Sequence, residues 1–183
     1  ISYSSQNRRS IYSYVSTSSE LQSFFSRVVL NYKSKYLLTA TIRRDGSTRF
    51  GENNKYGNFP SVAFGWNISQ ESFMKNISAI NSLKLRIGWG QTGNQEFTSG
   101  ASLNRFVLNG NQGGISQTNF GNPDLRWETS ETANIGIDFS LFTNRLSGSI
   151  DYFNKKGTNV LYEKTLTLPG PQSKIWINLP GNL

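Results

Sequence analysis

The chain has 183 residues, enough for one domain of ordinary size, with 36% hydrophobic, 13% aromatic and only 16% charged residues and a formal net charge of +8. It contains no Cys and no His, which excludes a disulfide framework, thiolate chemistry, Ser-His-Asp catalysis and the usual zinc hydrolase designs. Abundant Gly, Phe, Tyr and Trp beside a single Met favour strands and turns over helices. No run of about 18 apolar residues marks a transmembrane helix, and the first residues lack a signal-peptide layout. Strands that cross a membrane carry a weaker signal and stay open.

In chain order, the first predicted strands are Leu21 to Tyr32 and Tyr36 to Asp45, joined by the tight turn Lys33-Ser34-Lys35. Gly46 to Lys55 reads as a polar loop, with Asp45-Gly46 ending the strand before it. From Ser61 to Ser69 the alternation is strict: Val62, Phe64, Trp66 and Ile68 on one face, Ser61, Ala63, Gly65 and Asn67 on the other. Phe73, Met74, Ile77 and Ile80 in the connector Gln70 to Asn81 predict one or two helical turns. Ser82 to Gln91 alternates again, with Leu83, Leu85, Ile87 and Trp89 opposed to Lys84, Arg86, Gly88 and Gly90. Thr92 to Asp124 reads as a long polar loop. Leu125 to Leu141 places Trp127, Ala133, Ile135, Ile137 and Phe139 opposite Arg126, Asn134, Gly136 and Asp138, with Thr129 and Glu131 breaking the apolar face. After the turn Thr143-Asn144-Arg145, Leu146 to Lys155 sets Ile150 and Tyr152 against Asp151 and Phe153. Leu168 onward, including Asn178 to Leu183, reads as loop.

These are about six antiparallel strands, each with one apolar and one polar face. Every shorter connector falls at one end of the strands and every long one at the other, the asymmetry of outer-membrane barrels. Tyr32, Tyr36, Trp66 and Phe139 lie near the short-turn end of the apolar face, and Trp89 and Trp127 near the long-loop end, as two interfacial belts would. The same aromatics could fill the core of a secreted β-sandwich adhesin or carbohydrate-binding module. About six strands cannot close a membrane barrel, whose smallest single-chain form has about eight, and open edges are not tolerated in hydrocarbon. The expectation is a piece of a larger wall.

Lys35 to Phe50 (KYLLTATIRRDGSTRF), Asn54 to Ile68 (NKYGNFPSVAFGWNI), Phe73-Met74-Lys75, Ser82 to Asn94 (SLKLRIGWGQTGN), Asn122 to Glu128 (NPDLRWE), Asn134 to Phe139 (NIGIDF) and Asn144 to Lys155 (NRLSGSIDYFNK) resemble the barrel of the SusC/RagA-like branch of TonB-dependent outer-membrane transporters. The resemblance covers roughly residues 25 to 160. It implies an all-β fold, part of the wall of a plugged barrel of about 22 strands. It also implies nutrient import (glycan or peptide), a location in the cell outer membrane among its lipid and lipopolysaccharide, the TonB complex as energy source and a SusD-like lipoprotein as lid. Residues 1–183 then form a partial barrel domain, without plug or TonB-box segment.

Other motifs weigh less. Gly88-Trp-Gly90-Gln-Thr-Gly93 matches a dinucleotide fingerprint, but polar residues follow it and no βαβ unit surrounds it. The sequons at Asn67 and Asn76 are discounted, the first because it ends a strand. The basic pairs Arg8-Arg9, Arg43-Arg44 and Lys155-Lys156 are scattered, with no nucleic-acid-binding motif beside them. Asp124, Glu128, Glu131, Asp138 and Asp151 could suggest paired glycosidase carboxylates; Asp138 and Asp151 instead predict charge pairs with Lys84, Arg86 or Arg126 on the polar face. No nucleophile–base pair and no metal-ligand cluster emerges, so neither an enzyme nor a cofactor is expected. The candidate ligand contacts lie in the long loop: Phe97, Asn104, Arg105, Phe106, Asn111 and Phe120, with Asn109 and Gln112 near them. Aromatic faces interleaved with amides suit sugars or an extended peptide, and they suit packing against neighbouring loops or a lid equally well.

Overall fold

The computed structural model describes residues 18–109, 114–166 and 173–182. Period-two patterning becomes nine strands: β1 Leu21–Tyr32, β2 Tyr36–Ser47, β3 Tyr56–Asn67, β4 Ile80–Asn94, β5 Arg105–Asn109, β6 Gly114–Phe120, β7 Glu128–Leu141, β8 Leu146–Leu166 and β9 Ser173–Asn182. They form one sheet in the order β1-β2-β3-β4-β7-β8-β9-β6-β5. Every pairing is antiparallel except β6 with β9, which run parallel over Asn119↔Lys174 and Phe120↔Ile175. Among the described residues no second sheet packs on the first, which sets aside the sandwich alternative.

Both tight turns are where the alternation breaks. Lys33 and Ser34 take φ of 51° and 56°, and the Lys35 N–H donates to the Tyr32 carbonyl at 3.0 Å, as in the mirror-image turns that suit strand twist. The connector after β3 holds a short 3₁₀ turn at Ser72–Met74, as expected, and a second at Ile68–Gln70, where the alternation had predicted strand through Ser69; β3 ends at Asn67.

Three strands were not expected. The predicted loop from Thr92 starts inside β4 and contains the β5–β6 hairpin, whose pieces are too short and too rich in Gly and Asn to show a period. The third, β9, pairs with the far half of β8, which continues through 21 residues to Leu166 rather than stopping at Lys155. Leu-Pro-Gly at its end reads as a loop, yet Pro180 falls where the ladder to β8 shifts register, between Val160↔Leu179 and Thr158↔Asn182, the kind of place where a strand tolerates Pro. Similarly, β2 runs through Asp45-Gly46 to Ser47.

The buried core sits at one end. Phe50, Phe59, Phe97, Ala101, Leu125 and Trp127 pack together at the long-connector end, with Leu161 and Trp176 against them. The middle of the sheet has no such core: Ile87 and Ile135 are each 44% exposed and Ile150 is 69% exposed.

Candidate functional site

Antiparallel register puts directly opposed residues on the same face. Leu38↔Phe64, Phe64↔Ile87, Ile87↔Ile135 and Ile135↔Tyr152 make one continuous apolar row from β2 to β8. Tyr36, Trp66, Leu85, Ile137 and Ile150 make the next, and Val62, Leu83 and Phe139 share that face. Lys84, Arg86, Asn134, Asp138 and Asp151 occupy the other face. Along β4, Ile80 to Trp89 rises about 30 Å at strand spacing, or about 23 Å vertically at a tilt of about 40°, close to the apolar band of about 25 Å on barrel exteriors.

Each end of this band carries a Trp bonded to a carboxylate. Trp89 Nε1 donates to Glu131 Oε1 at 2.7 Å near the long connectors, and Trp66 Nε1 donates to Glu71 Oε1 at 3.2 Å near the short ones. Tyr36 stacks on both Phe64 and Trp66. Glu71, in the connector, also accepts from Tyr36 Oη at 2.7 Å and Lys35 Nζ at 2.8 Å. These donors, Lys35 foremost, hold the Glu71 carboxyl well below its ordinary value, at about 2. The belt at the short-turn end is as expected. Trp127 is not in the other belt: it turns inward, its ring 5.5 Å from that of Phe59 and its Nε1 donating to the Lys55 carbonyl at 3.1 Å.

On the polar face the expected charge pairing forms, and it chooses Arg86. The guanidinium grips Asp138 through Nε at 2.7 Å and Nη2 at 2.9 Å, and reaches Asp151 at 2.9 Å. Asp151 is two strands away, directly opposite Gly136, which is directly opposite Arg86. A Cβ at Gly136 would collide with Asp151 Oδ1 and lie 2.9 Å from Arg86 Nη2. Glycine on β7 therefore opens the path for a salt bridge between β4 and β8. Neither Lys84 nor Arg126 makes an ion pair among the described residues.

The mouth at the long-connector end is closed by backbone clamps. Gly51 N–H donates to the Leu125 carbonyl at 3.1 Å, and a Cβ there would strike the Pro123 carbonyl, so the loop before β3 and the segment before β7 touch through glycine. Asn178 of β9 brackets Arg126, accepting from its N–H at 3.0 Å and donating to its carbonyl at 2.8 Å. The rings of Phe50 and Trp127 lie 4.5 Å apart, Phe50 and Phe97 5.1 Å, Phe97 and Trp176 5.5 Å.

The loop candidates divide. Phe97 is 8% exposed inside this cluster, so its ring faces meet protein. Asn104 Oδ1 accepts from Gly121 N–H at 2.8 Å and Gln117 Nε2 at 3.0 Å, and Arg105 donates to the Ser99 carbonyl. Phe106 is 59% exposed, whereas Phe120 is half-buried beside β9. Asn111 and Gln112 lie outside the described residues, and Asn109 is placed by its backbone in β5. Sequence reasoning missed Asn119, whose buried amide donates to the Ala101 and Leu103 carbonyls at 2.9 and 2.8 Å and ties the hairpin to the segment before it. Nothing in an Asn/Gly-rich stretch distinguishes that Asn from its neighbours. Gly136 could have been found once Arg86 and Asp151 were placed in register.

A one-sheet wall, apolar on one face and charged on the other, with two aromatic ends, is a segment of a transmembrane β-barrel. The chain belongs to the TonB dependent receptor-like, beta-barrel family, which matches residues 2–182. TonB-dependent receptor P39 of Formosa agariphila is 44% identical over 170 residues, covering 91% of this chain and 16% of that protein. TonB-dependent receptor SusC of Bacteroides thetaiotaomicron is 37% identical over 158 residues, 79% of this chain and 16% of that protein. The chain thus spans about 16% of the length of these curated relatives. Among solved structures, that of the RagAB peptide transporter superposes with a TM-score of 0.79 at 29% identity, over 87% of this chain and 18% of that one.

Proposed function

We propose that the whole protein is an energy-coupled importer in the cell outer membrane, taking up glycans or peptides, and that this chain is part of its wall. The observation that carries the reading is the sorting of side chains by face in register across β2, β3, β4, β7 and β8. One face offers an apolar band of bilayer height. The other offers charge and hydroxyl groups to a water-filled interior. Membership of the TonB-dependent receptor family supports coupling to the TonB complex, and likeness to SusC and to the RagAB transporter supports a SusD-like lipoprotein lid over the mouth. In this orientation the short turns are periplasmic, and the long connectors face outward among lipopolysaccharide.

The test is to disrupt the gene, and separately tonB, in the native cell and to measure growth on defined glycans and peptides. Loss of the same nutrient in both strains is the expected result. Growth that depends on neither gene, or recovery of the native protein in the soluble fraction, refutes it. Co-purification of a surface lipoprotein with the complete transporter tests the lid.

A further inference from the structure

The polar face holds a hollow of about 600 Å³ on the mouth side of the Arg86 row. Its floor is low because small residues meet there: Ser61 opposes Gly90 and Ala63 opposes Gly88. Two guanidinium groups rise at its β1–β2 side. Arg43 is engaged, paired with the buried Asp45 at 2.7 Å and lying over the Phe59 ring at 5.8 Å. Arg27 is not: its Nε donates to Thr41 Oγ1 at 3.2 Å, and no carboxylate lies within ion-pair distance of it among the described residues. Among the described residues, two guanidinium groups thus face one carboxylate in the hollow. Beside it, directly opposite Arg43, Phe25 stands 73% exposed on the same face.

We propose that this hollow binds a carboxylate carried by the transported molecule, with Arg27 reading the charge and Phe25 supporting the ring or chain attached to it. A guanidinium presents parallel N–H donors that match the two oxygens of a carboxylate, and Thr41 orients the fork by taking Nε. Ser61 and Asn134 line the same hollow and supply neutral hydrogen bonds to flanking hydroxyl or amide groups. The proposal rests on the import reading, because it makes the polar face the substrate's path. A uronic acid in a glycan and the terminus or acidic side chain of a peptide carry the same group.

The experiment uses the complete transporter, purified in detergent, and two matched probe pairs: trigalacturonate against its methyl ester, and penta-alanine against its C-terminal amide. The native protein should bind the free acid of one pair about ten- to a hundred-fold more tightly than its neutral partner, the range of a charge-assisted hydrogen bond. The pair that responds identifies the source. Arg27→Gln should erase that preference by weakening the free acid far more than the neutral probe, while Arg27→Lys should retain part of it. Equal binding of acid and neutral forms in both pairs overturns the inference, as does a preference that survives Arg27→Gln. Uptake separates the two readings: TonB-dependent uptake that ignores charge ends this inference alone, and charge-selective binding without TonB-dependent uptake ends the import reading alone.

Discussion

The strand wall and the mouth are built on opposite principles. Between Tyr36 and Tyr152 the wall turns its apolar side chains outward and has no protein core over them. It is held by its hydrogen-bond ladders and, in a membrane, by the lipid that covers Ile87, Ile137 and their rows. The mouth is organised like a water-soluble domain: Leu125 is 0% exposed, and aromatic rings from four separate segments fill the space around it. The wall's solvent is the bilayer, so its hydrophobic pattern is local. Outside the bilayer, segments distant in sequence must supply one another's cover.

Mutations that act on one region alone would break the comparison or sharpen it. The largest expected effect is at the mouth, where Trp127→Ala or Phe50→Ala should cost about 3–5 kcal/mol, the range for truncating a buried aromatic. Limited proteolysis of whole cells should then cut the outer connectors while the barrel keeps its heat-modifiable migration. Joint collapse of barrel and mouth would show that the two are not separate units. Next, Leu85→Arg or Ile137→Arg should destabilise the barrel in liposomes by about 2–4 kcal/mol, and Thr132→Arg on the polar face by much less. Spin labels at Ile87 and Asn134 should report lipid and water respectively; reversed polarity would mean that the register is wrong by one residue.

A smaller effect distinguishes two glycines on the polar face. Gly136→Ala should separate Arg86 from Asp151 and lower stability by about 1 kcal/mol, in keeping with a half-exposed ion pair. Gly65→Ala, whose nearest new contact is Lys84 Cε at 3.5 Å, should be close to neutral in denaturant titration. The smallest expected effect is an acid transition at the short-turn end. Because the folded Glu71 pKa is depressed from 4.5 to about 2, the contribution of Glu71 is fully present above its ordinary value and lost as pH falls through the folded one. Trp66 fluorescence should report a change in that window which Glu71→Gln removes, and an unchanged titration in the variant would refute the assignment.

Residues Val62 to Trp66 and Leu83 to Trp89 were sufficient in themselves to declare strands and their apolar and polar faces, because side-chain direction alternates with each residue whatever the partner strand. The turns at Lys33-Ser34 and Thr143-Asn144 were equally local, and charge pairing of Asp138 was open to reasoning once faces were known, though the choice of Arg86 over Lys84, which lies directly opposite Asp138, was not. The tertiary structure alone decided the rest. Trp127 has the spacing of a belt residue, but the loop carrying Phe50 gives it a drier place inside. Gly136 looks like any glycine on a polar face until the register sets Arg86 on one side and Asp151 on the other. The hairpin of β5 and β6 and the strand β9 meet at Asn119 and Lys174, 55 positions apart in the chain. That Arg27 has no carboxylate partner among the described residues shows only when β1 is aligned on β2 and the floor of small residues opens beside it. A period is written in consecutive residues, whereas register, cover and charge balance depend on which distant segments come to lie side by side.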